Sequence, residues 1–329
     1  MLTWHLEALH LRLKQAFTNR NGAGVEKINF LVQVTDGSYS GFGEAAPSLR
    51  YGETPELLLQ QYKVLLMAGL PQVQSMEELI QLLEQHPPIN ALRFAVEAAY
   101  LHYFCQHKGI PVHQLLGQPA PQPHFTCYTL PLLESDEVQA FIQWQNLERF
   151  RYLKLKVNPE SGLDLVAEVL QNTGHQLVLQ GCESWHDPKQ LIEFLQSLDQ
   201  ERVLFVEQPM PATKVAAYAQ VKQASPLPIV ADESVTDIVD FELLRSQFHG
   251  VKISMMKSGG YLNTVRLLKE ARKYGLMAVL GGETETTLGA WSAMQLSSAF
   301  DFVELDGFLQ LEEEPFGLVL EQDGALYLK

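Results

Sequence analysis

The stretch RYLKLKV at 151–157 sets Lys154 and Lys156 among Leu153, Leu155 and Val157. Side chains two apart on a strand share a face, so both ammonium groups point one way and the apolar residues the other. Further along, apolar runs end in charge. FVEQP ends at Glu207, IVADES at Asp232, VKISMMKSGG at Lys257, GGETET at Glu283 and Glu285, and VELDG at Glu304 and Asp306. Buried charges must be paired or bind a metal. Glu207 and Asp232 offer the hard oxygen ligands that suit Mg2+. Lys156 and Lys257 suit proton transfer at carbon, because burial and nearby positive charge lower an amine's pKa until it can take a proton. A cation would then stabilise the enolate formed from a substrate carboxylate. With a base on each face, the proton leaves one side and returns on the other, which is racemisation or epimerisation. The plain alternative is an edge strand with lysines in water and solvated polar loops past the other strands.

These residues need a scaffold that gathers strand ends. From about 124 the pattern alternates strand-like and amphipathic helical runs, with strands predicted at 124–132, 152–157, 176–181, 203–209, 228–234, 250–256, 276–283 and 301–306. A spacing of roughly 25 residues is that of β-α units in a parallel sheet. Eight such strands fit a TIM-like barrel, and the C-terminal ends of barrel strands build active sites. No GxGxxG follows the first strand to suggest a dinucleotide fold. Before the barrel, residues 2–13 alternate like a strand, and INFLVQVTDGSYSGFGEA reads as a hairpin turning at Asp36–Gly37. Helical patterns follow at roughly 54–69, 76–86 and 88–107, the last stopping at Gly109. The tail, FGLVLEQDGALYLK, reads as a second hairpin, expected to pack on the N-terminal sheet.

The chain has 329 residues, 46% of them hydrophobic, enough for a large core. A net charge of −15 argues against nucleic acid, which demands a basic surface. No apolar run approaches the ~20 residues of a membrane span. The first residues alternate and carry charges, unlike a secretory leader. Cys105, Cys127 and Cys182 form no CxxC pair, which suggests a reducing compartment, with the cytoplasm as the expectation.

GFGEAAPSLRYGET, LKLKV, VEQP, VADES and MKSGG together resemble the enolase superfamily, within it the muconate-lactonising subgroup, and the likeness runs through nearly the whole chain. The resemblance implies an α/β chain: an N-terminal α+β capping domain over 1–110, a modified (β/α)7β barrel over 111–310, and a return over 311–329 on the cap. It implies that Lys156 and Lys257 are the acid/base pair and that Lys154 is an auxiliary cation near the substrate carboxylate. Mg2+ would sit on Glu207, Asp232 and the residue at 180. ELDG is similar to the acidic pair of dipeptide epimerases, so Glu304 and Asp306 would hold a substrate ammonium group. The loops FTNRNGAG and PSLRYGET would close over the substrate, with Arg20 and Arg50 as anion contacts. Glu283, with Glu285 beside it, falls where the substrate side chain would lie, and predicts a basic or polar second residue. The partner expected is a small carboxylate, a dipeptide, and a homo-oligomer is compatible with this reading.

The pattern breaks at two strands. Where the family carries DAN, this chain has Gln180, Gly181 and Cys182, so the first metal ligand becomes a neutral amide; Glu183 substitutes only if the backbone shifts. At the sixth barrel strand, Lys252 and Ser254 replace the more usual Asn and Lys. Three functions stay open. They are a Mg-dependent racemase or epimerase of dipeptides, an o-succinylbenzoate synthase or cycloisomerase-type lyase, and a metal-poor, non-catalytic small-molecule-binding relative.

Overall fold

The computed structural model describes residues 1–19 and 22–329. Period-two alternation builds the first sheet: β1 (Thr3–Asn19) pairs antiparallel with β2 (Gly22–Thr35), and β2 with β3 (Ser40–Ala45). The Asp36–Gly37 turn forms where predicted, with the Asp36 carboxylate accepting the Ser38 and Tyr39 N–H groups at 2.8 Å. Phe30, Val32 and Val34 of β2 are buried in the core.

Three helices follow, α1 (Pro55–Met67), α2 (Met76–Gln85) and α3 (Asn90–Lys108); α3 packs on the sheet and α2 on α3. Thr54 and Ser75 cap the first two, and Gly109 ends the third in the left-handed region. The GFG of β3 has a steric reason: a Cβ at Gly41 or Gly43 would overlap the α3 carbonyls of Ala99 or Ala95. Sheet and helix therefore meet backbone to backbone.

The second sheet holds eight parallel strands in sequence order. They are β5 (Cys127–Thr129), β6 (Tyr152–Lys156), β7 (Gln176–Gln180), β8 (Val203–Glu207), β9 (Ile229–Ala231), β10 (Gly250–Ser254), β11 (Met277–Gly281) and β12 (Phe302–Glu304); a two-residue β4 (His124–Phe125) precedes them. This is the expected (β/α)7β barrel, nearly closed. Side chains join the seam between its first and last strands. Thr129 N–H donates to Asp306 at 2.7 Å, and Leu305 N–H to Thr126 Oγ1 at 3.0 Å. Val178, Phe205, Val230 and Val279 plug the barrel's interior. One pleat repeat further up, Phe205 and Val230 give way to Glu207 and Asp232, while Val178 and Val279 give way to the neutral Gln180 and Gly281.

The tail departs from expectation. β13 (Val319–Gln322) and β14 (Ala325–Leu328) form the predicted hairpin, with Asp323 and Gly324 at positive φ, but it pairs with β4. Among the described residues, the segment before it reaches the first sheet, through a Leu13–Leu311 bridge and a Glu312 N–H bond to the Arg12 carbonyl at 2.9 Å. The hairpin's sequence specifies its own turn and register, but nothing local chooses which open edge it covers. Among the described residues no helix is long and apolar enough to cross a membrane.

Candidate active site

Register sets the site. Lys156 pairs with Gln180 and Gln180 with Glu207, so three consecutive strands present these residues side by side. Gly250 pairs with Val230 and Val251 with Ala231, so the next step puts Lys252 beside Asp232. Lys257 stands on the short helix Met255–Ser258, directly after β10. β6 and β10 lie four strands apart in an eight-stranded barrel, so the chain segments carrying Lys156 and Lys257 face each other across it.

The cations and carboxylates interlock. The Lys154 ammonium donates to Glu304 at 2.7 Å and to Glu207. Lys252 lies 2.7 Å from Glu304, 3.2 Å from Glu207 and 3.5 Å from Asp232. Lys257 donates to Asp232 Oδ1 at 2.5 Å and to the Asp232 carbonyl at 2.8 Å. Burial opposes these charges and the pairing outweighs it, so Lys154, Lys252 and Lys257 are all raised. Against the same burial cost, Lys252, Lys257 and Lys154 hold Asp232 well below the usual carboxylate range. Lys154 and Lys252 likewise keep Glu304 down at about 2. Burial and the adjacent Glu304 push Glu207 up to about 8. Lys156 goes the other way from its fellow lysines: burial lowers it, with Lys154 adding to the effect and Cys182 opposing it.

Two connected cavities open here. A small inner one is lined by Lys154, Lys156, Lys252, Glu304 and Asp306. An outer one of about 1070 Å³ adds Lys27, Tyr51, Glu53 and Glu233, and Lys156, Gln180, Asp232 and Glu283 line both. The cap provides Tyr51 and Glu53, and is latched to the barrel. Glu44 accepts from Thr286 N–H at 3.0 Å and Gly289 N–H at 3.1 Å, and the Asn90 amide donates to the Lys257 carbonyl at 2.9 Å.

Several expected residues stand elsewhere. Glu183 does not turn toward Asp232. Cys182 and Glu183 both take positive φ, and Glu183 reaches out to Arg50 and to Ala212 N–H. Arg50 is therefore engaged by a carboxylate, tying its loop to the barrel, and it lines the outer cavity. Glu285 is buried but lines neither cavity. It lies near Glu44 and Glu283, where burial holds it well above the usual range. Glu304 is taken up by Lys154 and Lys252, which leaves Asp306 as the member of that pair without a lysine contact among the hydrogen bonds and ion pairs of the site. Arg20 lies outside the described residues.

The sequence reading gave Lys252 no role. The signal was present: a lysine between Val251 and Ile253 repeats the logic of Lys154 between Leu153 and Leu155. The donors at the expected Mg2+ position do not fit that ion. Gln180 supplies no charge, its amide Nε2 lies 3.5 Å from Asp232 Oδ2, and an ammonium stands against both Glu207 and Asp232. Among the described residues no group of three or more His, Cys, Asp and Glu could hold a metal.

A cap latched over a (β/α)7β barrel, with a paired-lysine strand and a distant lysine bracketing carboxylates at the strand ends, defines an enolase-superfamily protein. Residues 137–317 match the enolase C-terminal domain-like family, and the chain belongs to it. It is similar to an L-Ala-D/L-Glu epimerase of Bacteroides thetaiotaomicron, 25% identical over 97% of this chain and 83% of that one. It also resembles a solved enolase-family structure from Agrobacterium tumefaciens, described as homologous to dipeptide epimerases and carrying sodium and L-Ala-L-Glu (TM-score 0.85, 25% identity, covering 100% and 98% of the two chains). A dipeptide epimerase from Cytophaga hutchinsonii, solved with Mg and D-Ala-L-Val, shares the fold at TM-score 0.89 and 22% identity, over 99% and 93% of the chains.

Proposed function

We propose that this chain is an isomerase that inverts the carbon next to a carboxylate, with a dipeptide as its substrate. The observation that carries the reading is the opposite tuning of two lysines. Lys156 is lowered by burial, while Lys257 is raised by its bond to Asp232 against the same burial. A two-base inversion needs one amine ready to accept a proton and one ammonium ready to give one. Lys156 takes the α-proton as its nitrogen lone pair captures it. Lys257 returns a proton to the other face. The second negative charge that develops on the substrate carboxylate falls to the Lys154 and Lys252 ammonium groups, fixed in place before the reaction. Asp306 faces the inner cavity and holds the substrate's ammonium group. The divalent ion of the relatives has no step here, because the donor set does not fit it. Deuterium incorporation at the α-carbon of dipeptides in D2O tests the reading. Absence of exchange across a dipeptide library would overturn it in favour of a non-catalytic binding protein. Loss of water from a hydroxy-acid substrate, with no α-exchange, would favour the lyase.

The pH dependence follows from the two lysines. Exchange rises as pH climbs through the Lys156 pKa, below 10.5, because the base must lose its proton first. It falls again once pH passes that of Lys257, above 10.5, because the acid is then spent. A rate that declines steadily between neutral pH and 10 would contradict this assignment. Specificity follows from the outer cavity, where Glu26, Glu53, Asp232, Glu233 and Glu283 outnumber Lys27, Arg50 and Lys156. Ala-Lys is expected to give a higher kcat/KM than Ala-Glu or Ala-Phe, and equal values for the three would remove Glu283 from the account.

A further inference from the structure

We propose that the Lys252 ammonium is a built-in replacement for the divalent ion, so that the chain binds no metal at this position and sets its own cation against the substrate carboxylate. Three observations point there. First, Lys252 lies within 3.5 Å of three carboxylates, Glu207, Asp232 and Glu304, which come from three different strands and converge on its nitrogen. Second, the cluster holds no spare negative charge for a further cation: three ammonium groups meet three carboxylates, and burial with Glu304 already pushes Glu207 up to about 8. Lys154, Lys252 and Lys257 face Glu207, Asp232 and Glu304, and all six are at most 8% exposed. A divalent ion would bring two positive charges with no partner into a buried cluster, at close range to an ammonium. Third, the neighbouring strand makes room for the lysine. Gly281 has no positive φ to explain it, yet a Cβ there would overlap Lys252 Cε and lie 2.9 Å from Cγ. The glycine is a slot for the stem. With Gln180 neutral, the site has lost a metal-binding charge on one strand and gained a cation on another.

The lysine acts as a fixed charge. Its three N–H groups already face Glu207, Asp232 and Glu304, so it acts on substrate oxygen through its charge and exchanges no proton with the reacting carbon. Unlike a metal, it cannot be stripped by a chelator.

Direct binding tests this on the whole chain, with Mn2+ followed by electron paramagnetic resonance and Mg2+ by titration calorimetry. The wild type is expected to bind neither at millimolar concentration, and its melting temperature to stay the same in EDTA. The Q180D/K252N variant, shown to be folded by circular dichroism, is expected to bind Mn2+ roughly 100-fold more tightly than the wild type or better, because a cation leaves and a carboxylate arrives. The single variant G281A is expected to crowd Lys252 and lower the melting temperature. Stoichiometric Mn2+ binding by the wild type overturns the proposal, as does a folded double variant that still ignores the ion. The substrate-facing part of the inference rests on the epimerase reading, but the binding experiments do not. α-Proton exchange that survives EDTA supports both. Exchange that EDTA abolishes and Mg2+ restores sinks this inference and leaves the epimerase standing. No exchange, with the metal results as expected, sinks the epimerase alone.

Discussion

Replacing Lys156 with alanine is expected to stop α-proton exchange for one epimer of a dipeptide substrate, leaving exchange of the other to Lys257, which Asp232 raises and which therefore accepts a proton only at high pH. Lys257→Ala is expected to do the reverse, and either variant abolishes interconversion. In the proposed mechanism Lys156 on β6 and Lys257 just after β10, four strands away, approach the α-carbon from opposite sides, so each would wash protons in and out of only one configuration. The loss for the affected epimer should be roughly 10²–10⁴-fold, the usual worth of a positioned acid or base. Nuclear magnetic resonance in D2O, run on each pure epimer, reads both arms. A variant that loses exchange of both epimers equally at high pH, while folded, would mean that the two lysines do not work from separate faces.

The second large effect concerns stability. Lys154→Met keeps the length and apolar stem of the side chain and removes its charge, leaving Glu207 and Glu304 with Lys252 as their remaining ammonium contact. Breaking one side of a buried ion network costs about 3–5 kcal/mol, because the other side stays buried and under-paired. Urea unfolding at neutral pH should show that loss. The Lys154→Met/Glu304→Gln double variant should recover part of it, since the stranded carboxylate is then neutral. A single variant as stable as the wild type would show that the charged layer is wetter than its burial indicates. The same variant should also lose turnover, because one of the two cations placed against the developing charge is gone.

Much of this protein was written locally. Strand and helix periods placed the eight barrel strands, the two hairpin turns and the stop at Gly109, because each is set by residues within one or two turns of chain. The KxK spacing put two ammonium groups on one face before any fold was known, because strand side chains alternate whatever the strand packs against. The charged strand ends at Glu207, Asp232, Lys257, Glu304 and Asp306 were legible for the same reason; the structure brings Asp232, Glu304 and Asp306 to the inner cavity, with Glu207 and Lys257 buried behind them. Tertiary structure decided which charge answers which. Lys252 meets its three carboxylates only because β8, β9 and β12 curve round to it, with Gly281 leaving space on β11. Glu183 turned to Arg50, and Glu285 fell behind the cavity wall. The tail hairpin chose β4 over the first sheet. In each case the partner lies far along the chain, and a pairing between distant charges or edges depends on closure of the barrel and docking of the cap, which no local period encodes.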